Sequence, residues 1–143
     1  MTVILSAEHL TKSFGGVVVI DDLSVSLNQG EALGVVGPNG AGKTTMLNLL
    51  TGVVHADSGA LHFDGHDISK RSPEHRAVAG IGRTYQIPRP FEGMTVFENV
   101  LVGATYGRKA KEKASYQLCA SALHRASLLP RANALAGDLS LLE

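Results

Sequence analysis

Gly37-Pro38-Asn39-Gly40-Ala41-Gly42-Lys43-Thr44-Thr45 is the stretch whose reading decides the fold of this chain. It fits G-x-x-x-x-G-K-[ST], the pattern of a loop that wraps a phosphate group. Glycines at 37, 40 and 42 admit positive φ and let the backbone come close to an anion. The N–H groups of the loop, from Gly37 through Asn39, Gly40, Ala41 and Gly42, are expected to curl around the β-phosphate of a nucleotide. The start of the next helix adds partial positive charge. Lys43 is expected to bridge the β- and γ-phosphates, the Thr44 hydroxyl to ligate Mg²⁺, and Thr45 to reach the α-phosphate. The flanks agree with this reading. Ala32-Leu33-Gly34-Val35-Val36 reads as a short buried strand feeding the loop, and Thr44 to Leu50 as the first turns of a helix.

Ahead of the loop the pattern is β. Val3-Ile4-Leu5 opens a strand that His9 to Phe14 extends, and Gly15-Gly16 turns the chain. Val17 to Ile20 is β-branched, and Leu23, Val25 and Leu27 alternate with Ser24, Ser26 and Asn28, as in an antiparallel strand with one wet face. After the loop helix, Leu61 and Phe63 alternate with His62 and Asp64, and Asp64-Gly65 is a tight-turn dipeptide. Ser72-Pro73-Glu74 starts a short helix that ends near Gly80. Ile81 to Gln86 reads as another strand. Thr95 with Glu98 three residues on is a capping box, opening a helix to about Tyr106. Tyr116, Cys119, Ala120 and Leu123 fall on one face of a second helix. The expected organisation is an antiparallel β subdomain with part of a P-loop core over 1–89, and part of an α-helical subdomain over 90–143.

The bulk numbers narrow the classes. The chain has 143 residues, 44% apolar and 18% charged, with thirteen basic and thirteen acidic side chains. A neutral balance offers no electrostatic case for binding nucleic acid or an anionic membrane. The single cysteine, Cys119, forms no internal disulfide and reads as a buried helix residue. No apolar run is long enough to span a bilayer, so the sequence gives no expectation of direct membrane insertion.

Three motifs in order resemble the nucleotide-binding subunit of ABC transporters, of the type that serves branched-chain amino acid importers. Leu10-Thr11-Lys12-Ser13-Phe14-Gly15-Gly16 resembles the aromatic segment ahead of the loop. Residues 37–45 match the phosphate loop. Gly82-Arg83-Thr84-Tyr85-Gln86, followed by Met94 to Val100, resembles the Q-loop and the helix after it. The resemblance implies an α/β P-loop nucleoside triphosphate hydrolase fold of the ABC ATPase type, incomplete here. It implies ATP and Mg²⁺ as cofactors and Phe14 stacked on adenine. It also implies Gln86 touching Mg²⁺ or the attacking water, and a segment from Ile87 to about Val102 that senses the membrane subunit. The implied partners are transmembrane permease subunits and a second nucleotide-binding subunit. The implied location is cytoplasmic, on the inner face of the cell membrane through the permease.

The pattern departs from the family at its end. Leu139-Ser140-Leu141-Leu142-Glu143 stands where the signature Leu-Ser-Gly-Gly-Gln begins, with leucines in place of both glycines. The Walker B acidic pair, which supplies the general base in the family, lies beyond it. The expectation is an ABC-type ATPase in the complete protein, with this chain alone binding ATP and not hydrolysing it efficiently. Two other classes stay open: a nucleotide-binding module that never turns over, and another P-loop enzyme such as a small-molecule kinase. A GTPase is disfavoured because no Asn-Lys-x-Asp is present.

Overall fold

The alternating runs at the front of the chain form a hairpin of two long strands. The computed structural model describes residues 2–108 and 111–140, so Leu141, Leu142 and Glu143 of the variant signature lie outside the described residues. Strands β1 (Val3–Phe14) and β2 (Val17–Asn28) are joined at Gly15-Gly16. The phosphate-loop helix α1 (Lys43–Thr51) follows, then β3 (Ser58–Phe63), β4 (His66–Asp67) and α2 (Pro73–Ala79). Helices α3 (Val96–Arg108) and α4 (Glu112–Arg125) come next, with short 3-10 turns at Leu129–Arg131 and Ala136–Asp138. The chain divides into two compact units, Met1–Ile81 and Gly82–Glu143.

In the first unit the four strands run antiparallel in the order β2-β1-β3-β4. Ala7 and Leu10 of β1, Ile20 of β2, Leu61 of β3, Met46 and Leu49 of α1 and Ile68 make the core. Ala7 and Leu10 are three residues apart, an odd spacing that should put them on opposite faces of a regular strand. Both point inward because β1 carries a bulge between them, with His9 at φ 52°. His9 N–H donates to Ser24 Oγ at 3.0 Å, and its Nδ1 lies 2.6 Å from Asp22 Oδ1. Gly59 of β3 passes this bulge at φ 94°, where a Cβ would sit 2.6 Å from the Glu8 carbonyl oxygen. No other residue fits there.

The far end of α1 is closed by Arg76 from α2. This guanidinium is only 2% exposed and is held entirely by backbone carbonyls. Its Nη1 donates to Leu49 O (2.5 Å) and Leu50 O (3.1 Å), Nη2 to Ser69 O (3.0 Å), and Nε to Arg71 O (3.0 Å). A cation at a helix C-terminus also meets the negative end of the helix dipole. Burial holds the Arg76 pKa below its ordinary value. Gly52 ends α1 at φ 81°, and a Cβ there would lie 2.9 Å from Arg76 Nε.

Two expected strands are not strands. Residues 31–38 and 81–85 carry no regular structure. A strand exists through its ladder, and the sheet leaves neither segment a hydrogen-bonded neighbour. Leu33 and Val35 are therefore half exposed, and Val36 is 97% exposed.

In the second unit α3 and α4 pack together through Val96, Ala104, Ser115, Cys119 and Leu123. The buried stripe of α4 is Ser115-Cys119-Leu123, rotated from the expected face. Tyr116 is 43% exposed, with its ring edge-on to Phe97 at 5.5 Å and its hydroxyl donating to Glu112 Oε1 at 2.7 Å. Ser115 tolerates burial because its hydroxyl donates to Lys111 O at 3.2 Å. The capping box forms: Glu98 N–H donates to Thr95 Oγ1 (3.2 Å), and Glu98 Oε2 accepts from Thr95 N (2.7 Å) and Oγ1 (2.9 Å).

Arg76→Met should destabilise the chain by about 3 kcal/mol in denaturant unfolding, because four buried or part-buried carbonyls each lose a donor at once. The Thr95 N–H and hydroxyl hold the Glu98 carboxyl below its ordinary pKa. A depressed carboxylate adds stability above its unfolded pKa and loses it as pH falls through the folded one. Glu98→Gln should therefore flatten the loss of stability below about pH 4.5.

Candidate functional site

The loop ahead of α1 has the backbone geometry of an anion cradle. Gly40 and Gly42 have φ of 83° and 81°. Gly42 is the N-cap of α1 and supplies no side-chain cap. The N–H groups of Lys43, Thr44 and Thr45 consequently have no protein acceptor among the described residues. The first helical bond is Met46 N–H to Gly42 O at 2.8 Å. Unspent donors at a helix N-terminus are what an anion needs. Lys43 folds back over the loop, its Nζ donating at 2.6 Å to both Gly37 O and Pro38 O. Gly37, Asn39, Gly40 and Ala41 are exposed, and so is Thr44, whose hydroxyl is bonded to no protein group among the described residues. Thr45 is half buried one position further along α1.

The cradle is seated on β2. A Cβ on Gly42 would lie 3.0 Å from both Ile20 Cδ1 and Val19 O, so the N-terminus of α1 lies directly against that strand. Two residues earlier on β2, Val17 is the partner of Phe14 at the end of β1. Phe14 and the loop are thus both registered to the same few residues of β2, separated by roughly 7 Å of strand. The Phe14 ring is 48% exposed. Lys12 Nζ lies 5.5 Å from its centroid. The same ammonium bonds Asp57 Oδ1 at 2.5 Å, and Asp57 Oδ2 accepts the Ser13 N–H at 2.7 Å. These two bonds, Lys12 first, hold the Asp57 carboxyl below its ordinary pKa. Asp57 escaped the sequence reading because it stands some forty residues from its partners, and no local pattern ties it to them.

Gln86 belongs to the second unit, exposed in a bend. The segment after it is pinned by Asn99 of α3, also missed from sequence. Asn99 Oδ1 accepts Phe91 N–H at 2.8 Å, and Nδ2 donates to Phe91 O at 3.1 Å and Thr95 O at 2.9 Å. Residues 92–96 bond 134–137 through Val96 N to Ala134 O, Ala136 N to Met94 O and Gly137 N to Glu92 O. Between these parts lies a groove of about 510 Å³ lined by Pro88, Pro90, Val96, Val100, Leu123 and Leu128 among others. Among the described residues, no three or more His, Cys, Asp or Glu side chains gather as a metal site. No helix of the described residues is long and apolar enough to cross a membrane.

Known proteins share this arrangement. The profile of the ABC transporter family matches residues 20–140. A probable branched-chain amino acid transport ATP-binding protein, LivG, of Methanocaldococcus jannaschii is 42% identical over 100 residues, covering 70% of this chain and 39% of the relative. The lipopolysaccharide export system ATP-binding protein LptB of Haemophilus influenzae is 43% identical over 98 residues, covering 68% and 41%. The chain thus spans about two fifths of the length of these curated relatives. A crystal structure of the ADP conformation of an ATP-binding cassette of an ABC transporter superposes with a TM-score of 0.82 at 32% identity, over 99% of this chain and 63% of that one. The antiparallel sheet and helices are those of a P-loop ABC ATPase, and the chain belongs to the ABC transporter ATP-binding family.

Proposed function

We propose that this chain supplies the nucleotide-binding part of an importer subunit, coupling ATP binding and hydrolysis to uptake of a small solute. One observation carries the reading: three unspent N–H groups at the start of α1, beside a lysine ammonium folded over the loop. In this reading Gly37, Asn39, Gly40, Ala41 and Gly42 surround the β-phosphate through their backbone. Lys43 exchanges a loop carbonyl for the β- and γ-phosphates, which costs little rearrangement because its ammonium is already there. The Thr44 hydroxyl, exposed beside the unspent donors, fits a cation ligand, and Thr45 reaches the α-phosphate. Mg²⁺, when bound, offsets the charge of the phosphate oxygens. Phe14 offers its open face to adenine. Gln86 is assigned to Mg²⁺ or the attacking water and to signalling towards the helical part.

The groove beside α3 supports a protein partner on the second unit, and we assign it to a permease. A second nucleotide-binding subunit would face the loop head to tail. The chain would then work in the cytoplasm, on the inner face of the membrane. Branched-chain amino acids are the cargo we favour, on the likeness to LivG. An export subunit is similar to the same degree, so the cargo assignment rests on the likeness to LivG and on no residue named here.

Thermal unfolding of the full chain with and without Mg-ATP tests the reading. ATP at 100 times Kd should add about 2.7 kcal/mol of stability, and Lys43→Ala should abolish the shift. Absence of any shift in the unmodified chain would sink the nucleotide assignment. Phosphate release measured in parallel separates turnover from binding alone. Gly42→Ala should weaken Mg-ATP binding at least tenfold in calorimetry, because a Cβ at φ 81° collides with Val19 O and lifts the loop from β2.

A further inference from the structure

We propose that Asp57 is a positioning residue for the base: it fixes the end of β1 so that the Phe14 ring is held ready to stack. This inference rests on the nucleotide reading above.

The end of β1 needs such a device. Phe14 is the last residue of its strand, next to the Gly15-Gly16 turn. Strand ends at hairpin tips fray, and a swinging ring stacks poorly. On one side β2 holds it, through Phe14 opposite Val17. On the other side the pairing with β3 stops at Thr11 opposite Ser58, three residues short of the ring. Asp57, the residue just before β3, fills this gap. Its N–H donates to Thr11 O at 2.9 Å, and its carboxylate takes the Lys12 ammonium and the Ser13 N–H, one on each oxygen. Three consecutive residues ahead of Phe14 are thereby tied to one aspartate.

The clamp also sets the charge around the ring. Lys12 has only 16% of its side chain exposed, and its ammonium lies 5.5 Å from the Phe14 centroid. Its ion pair with Asp57 holds that ammonium in place. It therefore orients the ring through the cation–π contact and is not free to swing towards a phosphate. Only a carboxylate does all of this, since an asparagine has one acceptor oxygen and no charge.

A role at the base predicts an effect that a general loss of structure would not give. The test compares Mg-ATP with tripolyphosphate, which has phosphates and no base, by calorimetry on the full chain. Asp57→Asn should lower ATP affinity about tenfold and leave tripolyphosphate affinity within about twofold of the unmodified chain. In a Phe14→Ala background, Asp57→Asn should cost nothing further, because its effect passes through the ring. Equal weakening towards both ligands, an undiminished effect in the Phe14→Ala background, or no effect on ATP would each overturn the proposal. Failure of the unmodified chain to bind either ligand would instead overturn the nucleotide reading, and the proposal with it.

Discussion

One buried guanidinium organises the first unit. Arg76 reaches from α2 to the last carbonyls of α1 and to the backbone of Ser69 and Arg71. A charge taken out of water without a carboxylate partner is costly. It persists here because polar partners surround it, and those partners are helix-end and turn carbonyls with lone pairs to spare, Leu49 O also accepting the Gly52 N–H at 3.3 Å. The carbonyls thus solve the arginine's problem. The consequence reaches the opposite end of the helix. With its C-terminus fixed by Arg76 and Gly52, α1 cannot slide along its axis, and its N-terminus stays against Val19 and Ile20 of β2.

Strand β2 is the second organiser. It pairs with β1 along its length, receives the loop at Gly42, and stands opposite Phe14 at the hairpin tip. The proposed base and phosphate contacts therefore share one rigid reference, although they come from segments some thirty residues apart. A site assembled on sheet backbone in this way tolerates side-chain variation, provided the glycines that permit the close approaches are kept.

Much of this was legible in the sequence, and the reasons are local. The helix start after the glycine-rich loop, the Asp64-Gly65 turn, the Pro73 helix start and the Thr95–Glu98 box each encode their geometry within a few residues, and each forms where expected. Where the reading failed, the deciding partner was distant. Ala32 to Val36 has strand composition and no neighbouring strand among the described residues. Ile81 to Gln86 fails for the same reason. Helix α4 turned by one position because Ser115, polar by composition, finds an acceptor in Lys111 and so accepts burial. Arg76, Asp57 and Asn99 look like ordinary surface residues in one dimension. Their importance appears only when the backbone groups they serve have been folded next to them.

The unpaired segment ahead of the loop has a thermodynamic corollary. The loop is anchored at Gly42 and arrives through residues 31–36, whose backbone carries no ladder and whose Val36 faces water. To the extent that filling the loop restricts this limb, ordering it draws on the free energy of binding. Any strand that hydrogen-bonded to residues 31–36 would remove this cost beforehand, tightening ligand binding without touching the ligand. Reciprocity then requires the occupied loop to favour that pairing by the same factor. Such a pairing would make the approach limb a lever through which a neighbouring chain segment and a ligand sense each other.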